Sequence, residues 1–130
     1  MAYAELHCVS NFTFLRGASH PQELVRTASA LGYSALAITD ECSLAGVVKA
    51  HVAAQDYGLQ LIVGSEFRLE GQRLIILVSN RQSYAELSAL ITTARRRSSK
   101  GEYQLEWTDL SGNLPNTLLI WLPSGDLEPD

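Results

Sequence analysis

Cysteine is scarce in this chain. Cys8 and Cys42 are the only two in 130 residues. They make no disulfide framework, and two distant single thiols are poor evidence for zinc, so both read as small buried thiols. Long apolar runs are missing too. Residues 35–38, 74–78 and 118–122 are runs of only four or five, far short of the roughly 20 needed to cross a bilayer. No basic stretch followed by a long apolar segment opens the chain, so no signal peptide is expected. Basic charge is in the minority. Ten Lys and Arg against fourteen Asp and Glu leave a net charge of −4, which argues against holding nucleic acid by bulk charge alone. There is no repeat of fixed period and no low-complexity tract.

What is present is a globular composition, 46% hydrophobic and 18% charged, too apolar for disorder and too mixed for a membrane protein. The length allows one domain. The expectation is a soluble cytoplasmic protein.

Residues 3–9 read as a buried strand, followed by a loop over 10–20 with Gly17 at a turn. Ser19 or His20 caps a helix with Pro21 in its first turn, where a missing N–H does no harm. Leu24, Val25, Ala28 and Leu31 share its inner face, and Gly32 stops it. Residues 33–39 form a near-continuous apolar run, the mark of a strand covered on both faces. Ser43 caps a second helix over about 44–57, ended by Gly58, and residues 59–63 make a third strand. This β–α–β–α–β order implies a parallel sheet. Residues 67–69 and 74–78 then flank a hairpin turn at 70–72. Asn80 caps a third helix to about Arg97, with Tyr84, Leu87, Leu90, Ile91 and Ala94 inward. Residues 104–114 hold at most one helical turn, residues 117–122 a last strand, and 123–130 a loose tail. The fold class is α/β, parallel strands first and then a hairpin, with helices outside. An open sheet of about five strands leaves two edges and one apolar face uncovered, which predicts self-association.

Ligands of parallel α/β sheets bind at the carboxyl ends of the strands. His7 ends the first strand, Asp40 and Glu41 the second, and Glu66 the third. Clustered carboxylates need a positive partner, and a histidine with oxygen donors suits zinc or manganese. Each residue also has a plainer reading. Asp40 can cap the next helix, Glu41 can be a solvated loop acid, Glu66 an exposed strand-end acid and His7 a core histidine. His20 reads as a cap or surface residue and His51 as a packing or surface one. Arg95, Arg96, Arg97 and Lys100 form the one positive cluster, with Tyr103 and Trp107 nearby. They suit either a phosphate backbone or a helix end whose carbonyls they cap.

The segments YAELHCVSNFTFLRGASHPQELV, LGYSALAITDECSLAGVVKAH and GLQLIVGSEF resemble the polymerase-and-histidinol-phosphatase (PHP) domain. More closely, they resemble the PHP domain that opens bacterial error-prone DNA polymerases. The resemblance covers about residues 3–122 and implies part of a distorted (β/α) barrel of seven strands. Active members of the family hold up to three metals and hydrolyse phosphoesters. The family motif HxHS is matched by His7-Cys8-Val9-Ser10, TDH by Thr39-Asp40-Glu41, and GxE by Gly64-Ser65-Glu66. The resemblance therefore carries over His7, Asp40 and Glu66 as metal ligands, with Glu41 as a further candidate. Val9 cannot bind a metal. Arg16 stands where the family often has an acid and can neutralise a rim carboxylate by a salt bridge. The resemblance thus implies a degenerate site, weak or empty of zinc or manganese. The implied partners are the rest of a polymerase chain and, through it, DNA in damage tolerance. The alternatives are a metal-dependent phosphoesterase or 3′–5′ exonuclease using His7, Asp40 and Glu66, and a small nucleic-acid-binding module using the arginine cluster. The later barrel motifs and the polymerase domains are absent from the sequence.

Overall fold

All four residues of Ala35–Ile38 are buried, as a strand must be when both its faces and both its edges are covered. In the computed structural model, which describes residues 4–8, 19–99, 101–112 and 114–122, this segment is β2. It lies between β1 (Ala4–Cys8) and β3 (Gln60–Leu69), parallel to both. β4 (Gln72–Val78) and β5 (Leu118–Leu122) follow antiparallel, giving the order β1-β2-β3-β4-β5. The expected parallel start, hairpin and last strand are therefore all present. The loop expected around Gly17 and the loose tail expected over 123–130 lie outside the described residues.

Helix α1 (Pro21–Ala30) begins on His20. Its start is held by Glu23, whose carboxylate accepts from the His20 backbone N–H at 2.9 Å, and Pro21 loses no hydrogen bond there. Val25 and Ala28 are buried against the sheet, but Leu31, expected on the same face, is 64% exposed. It sits at the cap position, past the last helical turn. Helix α2 (Val47–Tyr57) ends on Gly58 in the left-handed conformation, as expected, but starts three residues later than Ser43 suggests. Ser43 is used otherwise. Its hydroxyl accepts from the Ala45 N–H at 3.1 Å and its own N–H donates to Ser65 Oγ at 3.1 Å. A local serine turn thus competes with the helix.

The largest departure concerns β3. The sequence predicts that it ends at residue 63, but it runs on to Leu69. Its two neighbours divide the work. β2 pairs with it as far as Val63, and β4 pairs from Val63 to Leu69. The hairpin turns on Glu70 and Gly71, at φ 49° and 80°, the two-residue geometry that suits the twist of the strands.

Helix α3 (Arg81–Arg96) is capped by Asn80, whose side chain accepts from the Ser83 N–H at 2.8 Å. Leu87, Leu90 and Ala94 are buried, and Ile91 packs against them. Tyr84, expected inward, is 39% exposed. A single turn, α4 (Trp107–Leu110), precedes β5. Helices α1 and α2 cover β2 with one core around Val25, Leu36 and Ile38. Helix α3 and residues 101–114 cover β3 and β4 with another around Phe67, Leu74 and Leu87. A third, smaller cluster of Ala37, Ile75 and Leu77, with Ile62, Ile120 and Leu122, is made of strand residues alone. It marks the inner face of a half-barrel.

Candidate site at the carboxyl ends of the parallel strands

Beyond Ile38, β2 gives way to a segment that still follows β3. The Glu66 N–H donates to the Asp40 carbonyl at 3.0 Å and the Cys42 N–H to the Glu66 carbonyl at 2.8 Å. Glu41 and Glu66 form an isolated parallel bridge. Ser65 Oγ ties the same turn, donating to the Asp40 carbonyl at 2.7 Å and accepting from the Ser43 N–H. Glu41 is thereby set in register with Glu66, with Asp40 the residue before it, and Asp40 and Glu66 are both buried, at 1% and 0% exposure. Glu66 is not at a strand end as expected, but inside β3, three residues past the last β2 pair. His7 occupies the penultimate position of β1, just before Cys8, which pairs with Ile38. The side chains of His7 and Cys8, and the whole of Val9, Arg16 and Lys100, lie outside the described residues.

Gly64, first residue of the GxE segment, is required by packing. A Cβ there would meet the Ile76 carbonyl oxygen and Leu77 Cδ2, each at 2.7 Å, and Thr39 Cγ2 at 3.2 Å. No side chain fits between the two strands at this point.

The carboxylates of Glu66 and Glu41 both have partners from the protein. Arg73 Nε stands 3.4 Å from Glu66 Oε2. Arg73 is two positions along β4 from Ile75, the residue opposite Glu66, and such diagonal neighbours lie within reach of a long side chain. Glu41 Oε2 accepts from the Tyr103 hydroxyl at 2.5 Å and lies 3.7 Å from Arg68 Nε. The Tyr103 oxygen in turn accepts from the Arg68 N–H at 2.8 Å. Its ring meets Phe67 edge-on, with centroids 6.1 Å apart, and the Arg95 guanidinium lies 5.5 Å from its centroid. Burial first, and then the hydrogen bond to Glu41, push the Tyr103 hydroxyl pKa well above the ordinary phenol value.

Arg95 also donates twice to the Cys42 carbonyl, from Nε at 3.3 Å and Nη2 at 3.0 Å, and from Nη1 to the Glu102 carbonyl. Cys42 has φ 45°, a strained value for a non-glycine residue. Burial raises its thiol pKa to about 11, against the opposing pull of Arg95. That keeps the thiol protonated and a poor ligand at neutral pH.

Two members of the arginine cluster, Arg95 and Arg97, are bound to the protein's own groups. Arg97 holds Asp109 through both Nη atoms, at 2.5 and 2.7 Å, and lies 3.7 Å from Glu106. These bonds lower the Asp109 carboxyl pKa below the usual range. Arg96 remains at the surface, and Trp107 and Trp121, both more than 40% exposed, pair nearby with centroids 5.6 Å apart. His20 is exposed at the start of α1, and His51 is exposed on α2. A cavity of about 830 Å³ opens near the start of β3, lined by Leu6, Ile62, Leu77, Tyr84 and Leu118. Asp40, Glu41 and Glu66 do not line it, so this cavity and the acidic residues are separate features.

The donor set can now be weighed against a metal. Among the described residues, no group of three or more His, Cys, Asp and Glu side chains is arranged to hold one. Glu41 is directed to a phenol and Glu66 lies against a guanidinium. The described residues therefore do not fit a multi-metal cluster.

A model of the PHP domain family matches residues 5–119. The chain is 58% identical over 130 residues to an error-prone DNA polymerase of Dechloromonas aromatica, covering 95% of this chain and 13% of that protein. It is 58% identical over 124 residues to the error-prone DNA polymerase of Saccharophagus degradans, covering 95% and 12%. Among solved structures, a protein from Bifidobacterium adolescentis assigned as a metal-dependent phosphoesterase superposes with a TM-score of 0.60 at 23% identity. That match covers 88% of this chain and 44% of the other. An amidohydrolase from Chromobacterium violaceum gives 0.59 at 24% identity, over 72% and 33%. The chain thus spans about an eighth of the two polymerases and less than half of either solved chain.

Proposed function

The chain belongs to the PHP domain family, and on that premise we propose that it is the N-terminal PHP segment of an error-prone DNA polymerase, acting there as a structural module. The similarity to such polymerases over 95% of the chain supports the assignment. One observation carries the structural role. The carboxylates of Glu66 and Glu41, which a hydrolase would offer to metals, are engaged by Arg73 and by Tyr103 with Arg68. The segment's partners are then the remainder of the polymerase chain and, through it, DNA undergoing damage-tolerant synthesis. The cytoplasm is the matching compartment, and no helix among the described residues is long and apolar enough to cross a membrane.

A second reading, a zinc- or manganese-dependent phosphoesterase using His7, Asp40 and Glu66, is favoured by one feature. Asp40 and Glu66 are both buried and are joined through the backbone just past the last β2–β3 pair, the place such chemistry uses. The nucleic-acid reading of Arg95, Arg96, Arg97 and Lys100 draws less support, because Arg95 and Arg97 bind the protein itself. The deciding measurement is hydrolysis of bis-p-nitrophenyl phosphate with added manganese. The structural reading expects the full chain to match its His7→Ala variant at background. Turnover that disappears in His7→Ala overturns it in favour of the phosphoesterase.

A further inference from the structure

We propose that Arg73 is a built-in counter-cation for Glu66, supplying from the protein the positive charge that a metal would otherwise bring to this carboxylate. The inference rests on the structural reading above and goes further by naming the group that replaces the metal.

Three observations carry it. First, Glu66 is fully buried. Its strand neighbours are Ile75, directly opposite on β4 and part of the apolar cluster with Ala37 and Leu77, and the acidic Glu41, bridged to it on the other side. An ionised carboxylate in such surroundings is costly unless a cation lies beside it. Second, Arg73 Nε is itself buried, makes no directed hydrogen bond, and stands 3.4 Å from Glu66 Oε2. What holds it there is charge, and a guanidinium keeps its charge at every accessible pH. Third, the two cations compete for one space. A zinc ion binds a carboxylate oxygen at about 2.0–2.2 Å, and a guanidinium nitrogen 3.4 Å from Glu66 Oε2 obstructs the approach to that oxygen from the Arg73 side. The repulsion acts in the same direction. Glu41, the carboxylate next along the rim, is held by Tyr103 and Arg68, so it offers no alternative anchor.

The test is thermal unfolding of the full chain after EDTA treatment and dialysis, with and without millimolar MnCl₂ or ZnCl₂. The native chain should melt at the same temperature with and without either metal. Arg73→Met should lower the Tm by about 5–10 °C, the effect of orphaning a buried charge. Arg73→Lys should recover much of the loss, and Glu66→Gln placed in the Arg73→Met background should recover most of it. A role in packing alone would show no rescue by Glu66→Gln. The proposal is overturned if Arg73→Met is as stable as the native chain, if its loss is not relieved by Glu66→Gln, or if either metal raises the native Tm by several degrees. Should Arg73→Met fail to fold, the double variant decides: a folded Arg73→Met/Glu66→Gln supports the proposal and an unfolded one overturns it. Absent coupling together with absent hydrolysis defeats the counter-cation alone. Hydrolysis that depends on His7 defeats the functional reading whatever the coupling.

Discussion

Single residues here do unlike jobs with like chemistry. Arg73, Arg95 and Arg97 are all guanidinium groups, yet the first faces a buried carboxylate, the second a carbonyl and an aromatic ring, and the third a paired carboxylate. Only the third makes a bidentate ion pair, the geometry a guanidinium is built for. Because Arg97 lowers the Asp109 carboxyl pKa, the stabilisation it gives is present above the unfolded aspartate value, about 3.9. It is lost as the pH falls through the lower folded value. Asp109→Asn should therefore reduce the Tm by a few degrees at pH 7, and the gap from the native chain should close as the pH is lowered towards 2. Melting curves across that range check the sign. A gap that stays constant would mean that Asp109 acts through shape and its bond to the Glu106 N–H rather than through charge.

At the scale of elements, the informative unit is the junction of β2, β3 and the segment after α3. Tyr103 and Arg95 come from residues far along the chain and clamp Glu41 and Cys42, immediately after Asp40. Tyr103→Phe keeps the ring on Phe67 but leaves the Glu41 carboxylate and the Arg68 N–H without the hydroxyl. The expected loss at neutral pH is about 1–2 kcal/mol, measured by urea unfolding. The hydroxyl's raised pKa means that the native chain should also lose stability as the pH rises above the ordinary phenol value, about 10. Tyr103→Phe should remove the part of that alkaline loss that Tyr103 causes. Equal stability of the two proteins at pH 7 would mean that the clamp contributes nothing.

This junction also shows what a sequence reader can and cannot see. The strands, the three main helices and their caps at His20, Asn80 and Gly58 follow from apolar periodicity and turn chemistry, which are local. The continuation of β3 past residue 63 does not, because it depends on β4 taking over where β2 stops. Arg73 is an intermediate case. Once the turn is fixed at Glu70 and Gly71, the register alone places it diagonally across from Glu66. Tyr103 and Arg95 gave no local signal, since a contact across 62 residues leaves no periodic trace. In sequence they fall within or beside the basic cluster of residues 95–100, and only tertiary packing assigns them to the rim. The parallel β–α–β order brings the backbone segments of Asp40, Glu41 and Glu66 together; the counter-charges of Glu41 and Glu66 come only from tertiary packing.

At the scale of the whole molecule, a half-barrel has an unsolved surface problem. β5 lies at one end of the strand order, and Leu118, Leu119 and Trp121 on it are 58%, 38% and 42% exposed. An apolar edge strand with free backbone groups is a template for pairing with another strand. Among the described residues, the inner cluster of Ala37, Ile75 and Leu77 is made of strand residues. The polymerases that resemble the chain are about eight times longer, so in such a protein further polypeptide is available to cover both features. In the chain by itself the available cover is a second copy. Light scattering coupled to size exclusion should then show species larger than 14.2 kDa, growing with protein concentration. Leu118→Lys, which puts a charge on the exposed edge strand at a position 58% exposed, should shift that distribution towards the monomer. A native chain that stays monomeric over a hundredfold concentration range, or a Leu118→Lys variant that associates as strongly as the native chain, would place the exposed edge outside any interface.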